Sequence, residues 1–295
     1  MKVLPFSLCM LILTVDVACA VDNVYYFDDN RDPAAPTNSI SGALVLHYVG
    51  KTHQTADDPK FGSGCMVIEL PEEGKSEAQT NWGRAPRAGL ASASAAFNGE
   101  LHKMTITAWI RPPNSTKGFY IFMRRNAPRP ESARENTPNN MVQPLGFPPG
   151  YLLWSVGRGS AGAGEGFFSF GYSEEYKALF FNFFPAGKGR VTFRSPRFNS
   201  VLQGIWIQMG MTFDEGKMVF YVNGLPIATQ ETGVDGPTSI SAATGDAVIA
   251  AFYNLEAGGE VDDFGFFTDR AFTSAEMDKV YSDGLKKLLE TKAAL

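Results

Sequence analysis

Two-residue alternation of apolar and polar side chains recurs along the chain, and it leaves few architectures open. Within Lys103–Ile110, Met104, Ile106, Ala108 and Ile110 share one side. Ile205, Ile207, Met209, Met211 and Phe213 share a side in the same way, with Gln208 and Thr212 opposite. Successive side chains of an extended strand point to opposite faces, so segments of this kind bury one face of a sheet. Lys217–Val222 and Leu179–Phe184 add strands rich in aromatic and β-branched residues. Phe213-Asp214-Glu215-Gly216 supplies a turn with glycine where a positive φ costs little, and Asn223-Gly224 is a strong hairpin signal. Residues 205–230 therefore read as three consecutive antiparallel strands.

Composition agrees: 30 Gly, 18 Pro and 23 Phe suit many short strands and turns better than helices. With 44% hydrophobic and 13% aromatic residues, disorder is excluded, and a net charge of −5 lacks the basic excess of a nucleic-acid binder. Arg111–Gly150 holds eight of the prolines. It leaves room for a strand at Phe119–Met123, followed by a long Pro-rich loop over 124–150. Gly157–Gly166, half of it glycine, is a second loop. Long loops on a rigid scaffold often carry function. No shift of composition and no repeat divides residues 21–295, which are expected to form one domain. Near the end, Thr273-Ser274-Ala275-Glu276 is a capping box, because the Thr hydroxyl and Glu carboxylate can each accept an N–H of the first turn. Met277, Val280 and Tyr281 follow at helical spacing, Gly284 can end that helix, and Leu285, Leu288 and Leu289 can continue it. The fold class is all-β, a two-sheet antiparallel sandwich with one or two short C-terminal helices.

Met1–Ala20 reads as a secretory signal: Lys2, an apolar stretch over Val3–Val15, and the small-x-small site Ala18-Cys19-Ala20. The stretch is shorter than the roughly 20 residues that span a bilayer, so no transmembrane segment is expected. Cleavage near Ala20 would place the product in a secreted, extracellular or periplasmic location. Lipid on Cys19 is the rival processing, but Asp16 stands where it needs an aliphatic residue. Beyond residue 20 the one cysteine is Cys65, so no internal disulfide can form and the core must hold the chain together. Cys65 lies in the apolar run Gly64–Ile68 and reads as a small buried hydrophobe rather than a nucleophile.

The order of signals resembles a known family. Phe97-Asn98-Gly99 with Met104–Pro112 resembles the entry into the first long strand of the laminin-G-like, concanavalin A-like jelly rolls. Trp206–Asp214 with Phe220–Gly224 resembles their central hairpin pair, and Gly259–Glu276 their closing strand and capped helix. The resemblance implies two antiparallel sheets packed as a sandwich, exported modules that bind glycans or proteins, a frequent bound calcium, and some glycanase relatives. Asp262 matches the strand acid that supports a structural calcium in many relatives. Calcium wants six to eight oxygens, so a second carboxylate is needed, and the run Asp28–Asp32 offers Asp28. The N-terminal strand, Val24–Phe27, lies beside the closing strand in this fold, which would bring Asp28 towards Asp262. Asp263 is the rival ligand, because alternation points only one of the two inward.

Retaining glycanases of this sandwich carry Glu-x-Asp-x-x-Glu, with two carboxyls about 5–5.5 Å apart. Glu260-x-Asp262 begins such a motif, but Phe264 and Gly265 stand where the second Glu belongs, so hydrolysis is not expected. Gly157–Gly162 matches a dinucleotide fingerprint, yet the segment after it reads as strand, whereas the pyrophosphate needs a helix N-terminus. His47, His53 and His102 show neither triad nor zinc spacing. Asn114-Ser115-Thr116 is a glycan acceptor sequon. A sugar site needs an exposed ring beside polar groups. Trp82 in Gln79–Arg84, flanked by Asn81 and Arg84, is the foremost candidate, followed by Trp154 and Tyr172 beside the Gly-rich loop. Trp109 and Trp206 read as structural strand residues. The expectation is a non-catalytic module that binds a glycan or glycoconjugate through rim loops, with a structural calcium. The alternatives are an adhesive or structural protein-docking module and a glycoside hydrolase with an unrecognised carboxylate pair.

Overall fold

A computed structural model describes residues 22–28, 44–47, 52–68, 87–93, 99–112, 118–124, 168–173, 175–185, 190–198, 204–232, 238–242, 247–252 and 259–293. The strands are β1 (Asp22–Tyr25), β2 (Leu44–His47), β3 (Thr52–Thr55), β4 (Cys65–Ile68), β5 (Arg87–Ala93), β6 (Lys103–Arg111), β7 (Gly118–Arg124), β8 (Phe168–Ser173), β9 (Ala178–Phe183), β10 (Val191–Arg194), β11 (Ile207–Asp214), β12 (Lys217–Val222), β13 (Leu225–Glu231), β14 (Ala247–Phe252) and β15 (Gly259–Thr268). A single helical element, α1 (Ser274–Ala293), comes after them. Sheet A runs β13-β12-β11-β6-β15-β4-β3 with β1 also on β15, and sheet B runs β10-β9-β8-β7-β14-β5-β2. Every named pairing is antiparallel. This is a two-sheet jelly-roll-like sandwich.

The three strands expected over 205–230 are β11, β12 and β13. Their turns hold Glu215 and Gly216 at φ 49° and 104°, and Asn223 and Gly224 at 49° and 76°. Positive φ at both central residues matches the strand twist. Gly224 is also needed for space, since a Cβ there would lie 2.9 Å from that of Tyr281.

Alternation divides the side chains of sheet A between two cores. Met104, Ile106, Ala108 and Ile110 of β6, with Met209, Met211 and Phe213 of β11, face sheet B. Phenylalanines close the gap between the sheets: Phe170 stacks on Phe220 at 6.1 Å, and Phe213 meets Phe183 at 5.5 Å between centroids. The opposite face is covered by α1, where Val24, Tyr221, Phe267, Phe272, Met277, Val280, Leu285 and Leu288 form a second cluster. That cover explains why Thr105, Thr107 and Gln208, on the outward side, are buried. They are satisfied there: Gln208 Nε2 donates to Thr107 Oγ1 at 2.8 Å, its Oε1 accepts from Gly224 N at 3.0 Å, and Thr105 Oγ1 accepts from Phe272 N at 2.9 Å.

The capping box forms as expected. Glu276 Oε2 accepts from Thr273 N at 2.7 Å, and Thr273 Oγ1 accepts from Glu276 N at 3.3 Å. Gly284 breaks the helix at φ 81°, ψ 167°, so α1 is two helical pieces in series. The N-terminal strand ends at Tyr25, two residues earlier than expected, ahead of Phe27 at φ 55°. Phe213→Ala should lower stability by about 3–5 kcal/mol through cavity formation, and Thr273→Ala by about 1 kcal/mol through loss of the cap. Urea unfolding followed by far-UV circular dichroism checks both values and their order.

Candidate functional site

One edge of β15 is occupied along its length by β6, whereas the other is shared. Gly259–Val261 pair with β4 and Phe264–Phe267 with β1. At the break between them the register with β6 shifts, and Asp263 takes φ 46°. The segment between β3 and β4 is fastened there by carboxylates. Asp262 Oδ2 accepts from Lys60 N at 3.0 Å and Phe61 N at 2.9 Å, and its Oδ1 from Asp263 N at 2.7 Å. Asp28 Oδ1 accepts from Ser63 N at 2.6 Å and Gly64 N at 3.1 Å. Asp263 Oδ2 accepts from Leu285 N at 2.8 Å, one residue beyond the kink of α1.

The expected approach of Asp28 to Asp262 is thus present, through one shared loop. The expectation that only one of Asp262 and Asp263 turns inward is corrected. Both are buried, because the positive φ at Asp263 interrupts alternation. Burial pushes the Asp262 carboxyl up to about 8, with Asp263 and Asp28 adding repulsion, and that of Asp263 up to about 6.

A calcium cage needs carboxylate oxygens turned towards a common cation. Here four oxygens of Asp28, Asp262 and Asp263 face backbone N–H groups, whose hydrogens would repel one. Among the described residues no cluster of three His, Cys, Asp or Glu could hold a metal. In this arrangement the three acids do not fit calcium.

Rings and charges gather on the outward side of sheet A beside this junction. Trp109 stands opposite Asp262 in the β6–β15 register and is 3% exposed. Tyr281 of α1 stacks on it at 5.5 Å and 17°, Phe61 meets it edge-on at 5.6 Å, and the Lys60 ammonium lies 4.3 Å from its centroid. The Trp109 Nε1–H has no acceptor among the described residues. A buried donor left in that state costs about 1–3 kcal/mol. Two residues along β6, Arg111 pairs with Glu260 and Asp58 and stands 5.3 Å from the Trp206 ring, whose Nε1 donates to Asp58 O at 3.3 Å. The pairing with Glu260, first of all, raises the Arg111 pKa. Ile205, Leu225 and Tyr281, 53%, 64% and 38% exposed, are the large apolar side chains most open to solvent among the described residues, and all three border this end of the sheet.

Of the expected sugar-site residues, Asn81, Trp82, Arg84 and Trp154 lie outside the described residues. Tyr172 does not form an exposed platform. It is fully buried in β8, where it faces the core against Phe198, and burial pushes its hydroxyl up to about 12. Trp206 is half-buried at the rim, not a core strand residue, because β11 begins only at Ile207. Glu260 is locked to Arg111 and Asp262 to main-chain donors, so neither carboxylate of the incomplete glycanase motif is free. Cys65 is fully buried, with its thiol pushed up to about 12 by burial. Sequence reasoning passed over Lys60 and Phe61 and took Tyr281 as a helix residue only. The run Asp57-Asp58-Pro59-Lys60-Phe61-Gly62-Ser63-Gly64, an aromatic set among charges and turn formers, was the available signal.

The fold and these rim features define a concanavalin A-like sandwich. The laminin-G family model described as the concanavalin A-like lectin/glucanases superfamily matches residues 87–277, and the chain belongs to that family. Among the curated proteins none matches the sequence. Solved structures share the fold at low identity. The botulinum neurotoxin serotype G binding domain is 10% identical with a TM-score of 0.54, covering 88% of this chain and 50% of that one. The binding domain of Paraclostridial Mosquitocidal Protein 1 is 11% identical at 0.54, covering 89% and 51%. The botulinum neurotoxin serotype D binding domain is 8% identical at 0.52, covering 88% and 51%. The chain spans about half the length of each. Among the described residues no helix is long and apolar enough to cross a membrane.

An acid whose pKa is raised by folding binds more protons folded than unfolded between the two values, so stability falls as pH rises through that window. Here the fall should run from the ordinary carboxylate range near pH 4 to about 6 for Asp263 and about 8 for Asp262. Asp263→Asn keeps an oxygen for Leu285 N–H and should flatten the portion below about pH 6. Urea midpoints measured from pH 4 to 8 check the slope; stability that rises over this range would contradict it.

Proposed function

We propose that this chain is an exported, non-catalytic module that binds a glycan or glycoconjugate at one rim of its sandwich. The observation that carries the reading is the engagement of the closing-strand carboxylates. In a family of lectins and glucanases, Glu260 is paired with Arg111, and Asp262 and Asp263 hold main-chain N–H groups. With Glu260 tied to Arg111 and Asp262 to main-chain donors, neither is presented as a free member of a retaining pair, which supports the non-catalytic reading. The structural relatives named as binding domains support the same reading. Export rests on Met1–Ala20, and Asn81, Trp82, Arg84 and Trp154 remain the proposed rim-loop contacts.

The test is a polysaccharide panel offered to the chain from residue 21, with calcium and with chelator, read for bound protein and for released reducing ends. Binding without release is expected in both conditions. Released sugar would overturn the non-catalytic reading. Binding lost only in chelator would put a cation at the site and overturn the assignment of the three acids to main-chain donors. No binding at all would favour a protein-docking module instead.

A further inference from the structure

We propose that the outward face of Trp109 is a sugar-stacking subsite, closed in the free protein by the Lys60 side chain. The inference rests on the carbohydrate-binding reading and adds to it a contact on the outward face of sheet A. Three independent observations meet here. The first is a buried donor: the Trp109 indole N–H lacks an acceptor among the described residues, while Thr105, Thr107 and Gln208 on the same face have partners. A group that brings an acceptor oxygen into this corner would satisfy it.

The second is the nature of the cover. Tyr281 and Phe61 are fixed to Trp109 by α1 and by the Asp262-held loop, but the remaining neighbour is an ammonium on a flexible stem. Lys60 is exposed, and no carboxylate pairs with its ammonium among the described residues. An ammonium 4.3 Å from the ring centroid occupies the place a sugar C–H face would take. Exposed cation–π contacts are weak, so displacement changes affinity by roughly two- to fivefold.

The third is the set of groups around the ring. Tyr281 packs over Gly224, next in sequence to the exposed Leu225, and Ile205 precedes Trp206, whose ring lies beside Arg111, so apolar side chains with charged ones among them border the ring. Apolar rings with a few convergent polar groups recognise a pyranose, whose C–H face stacks while its hydroxyls accept and donate. A hydroxyl, ring or carboxylate oxygen of the sugar would take the Trp109 N–H.

The experiment uses affinity electrophoresis with laminarin, mannan, xyloglucan and polygalacturonate, which separates neutral from acidic sugars, together with acrylamide quenching of tryptophan fluorescence. Trp109→Phe keeps a ring but removes the N–H, and should weaken retention about fivefold. Tyr281→Ala, a surface change, should weaken it comparably and guards against misfolding of the Trp109 variant. Lys60→Ala should strengthen retention roughly two- to fivefold and raise quenching. The extra quenching should disappear in Trp109→Phe and be suppressed by the retained polysaccharide. Wild-type retention undiminished in both Trp109→Phe and Tyr281→Ala would overturn the subsite while leaving the carbohydrate reading intact. Failure of the wild type to be retained by any of the four would overturn the carbohydrate reading and this inference with it.

Discussion

Main-chain N–H groups bonded to carboxylates at and beside the break in β15 hold the rest of the architecture in place. A strand whose edge passes from one partner to another leaves peptide groups without a ladder, and unpaired buried N–H groups are costly. Asp262 and Asp28 take over the role of the missing strand for the segment between β3 and β4, and Asp263 does so for the second piece of α1. Three parts of the chain distant in sequence are thereby registered against one strand. The ring cluster around Trp109 depends on it, because Phe61 arrives on the held loop and Tyr281 on the helix ending at the kink.

Sheet A differs from an ordinary sandwich sheet in having both faces covered near its centre. Its inward face meets the phenylalanines of sheet B, and its outward face meets α1. The buried threonines and Gln208 of that outer face bond with one another or with the main chain, which ties hairpin, strand and helix linker together. Cover stops at the edge of the helix. There Tyr281, Leu225 and Ile205 keep apolar surface in solvent, next to ion pairs already satisfied among themselves.

Alternation, turn chemistry and the capping box made the sandwich legible, since each is a local rule that this fold obeys. Strands β6, β11 and β12, both positive-φ hairpins and the break at Gly284 were readable for that reason. The candidate site was only half legible. Pairing of the N-terminal and closing strands brought Asp28 near Asp262, but their role depends on which groups the loop presents to them, and the loop presents N–H donors. The burial of Asp263 beside Asp262 depends on one left-handed residue that alternation cannot foresee. Tyr172 was misread because a polar-tipped ring beside a glycine-rich segment looks like a platform, whereas strand pairing turns it inward. Trp109 looked structural because its strand is; alternation already set it opposite Met104, Ile106, Ala108 and Ile110, but only the helix and the held loop show which rings and charges meet it there.

Cys65 gives the molecule a clock of its own. It is the one thiol after residue 20, it is fully buried in β4, and burial keeps it protonated. Reaction with an alkylating reagent therefore has to wait for the β3–β4 side of β15 to open. The rate of labelling in native buffer reads out that opening, and comparison with global unfolding separates the two. No second cysteine lies in residues 21–295 to close a bridge with it, so labelling reports on this one thiol alone there.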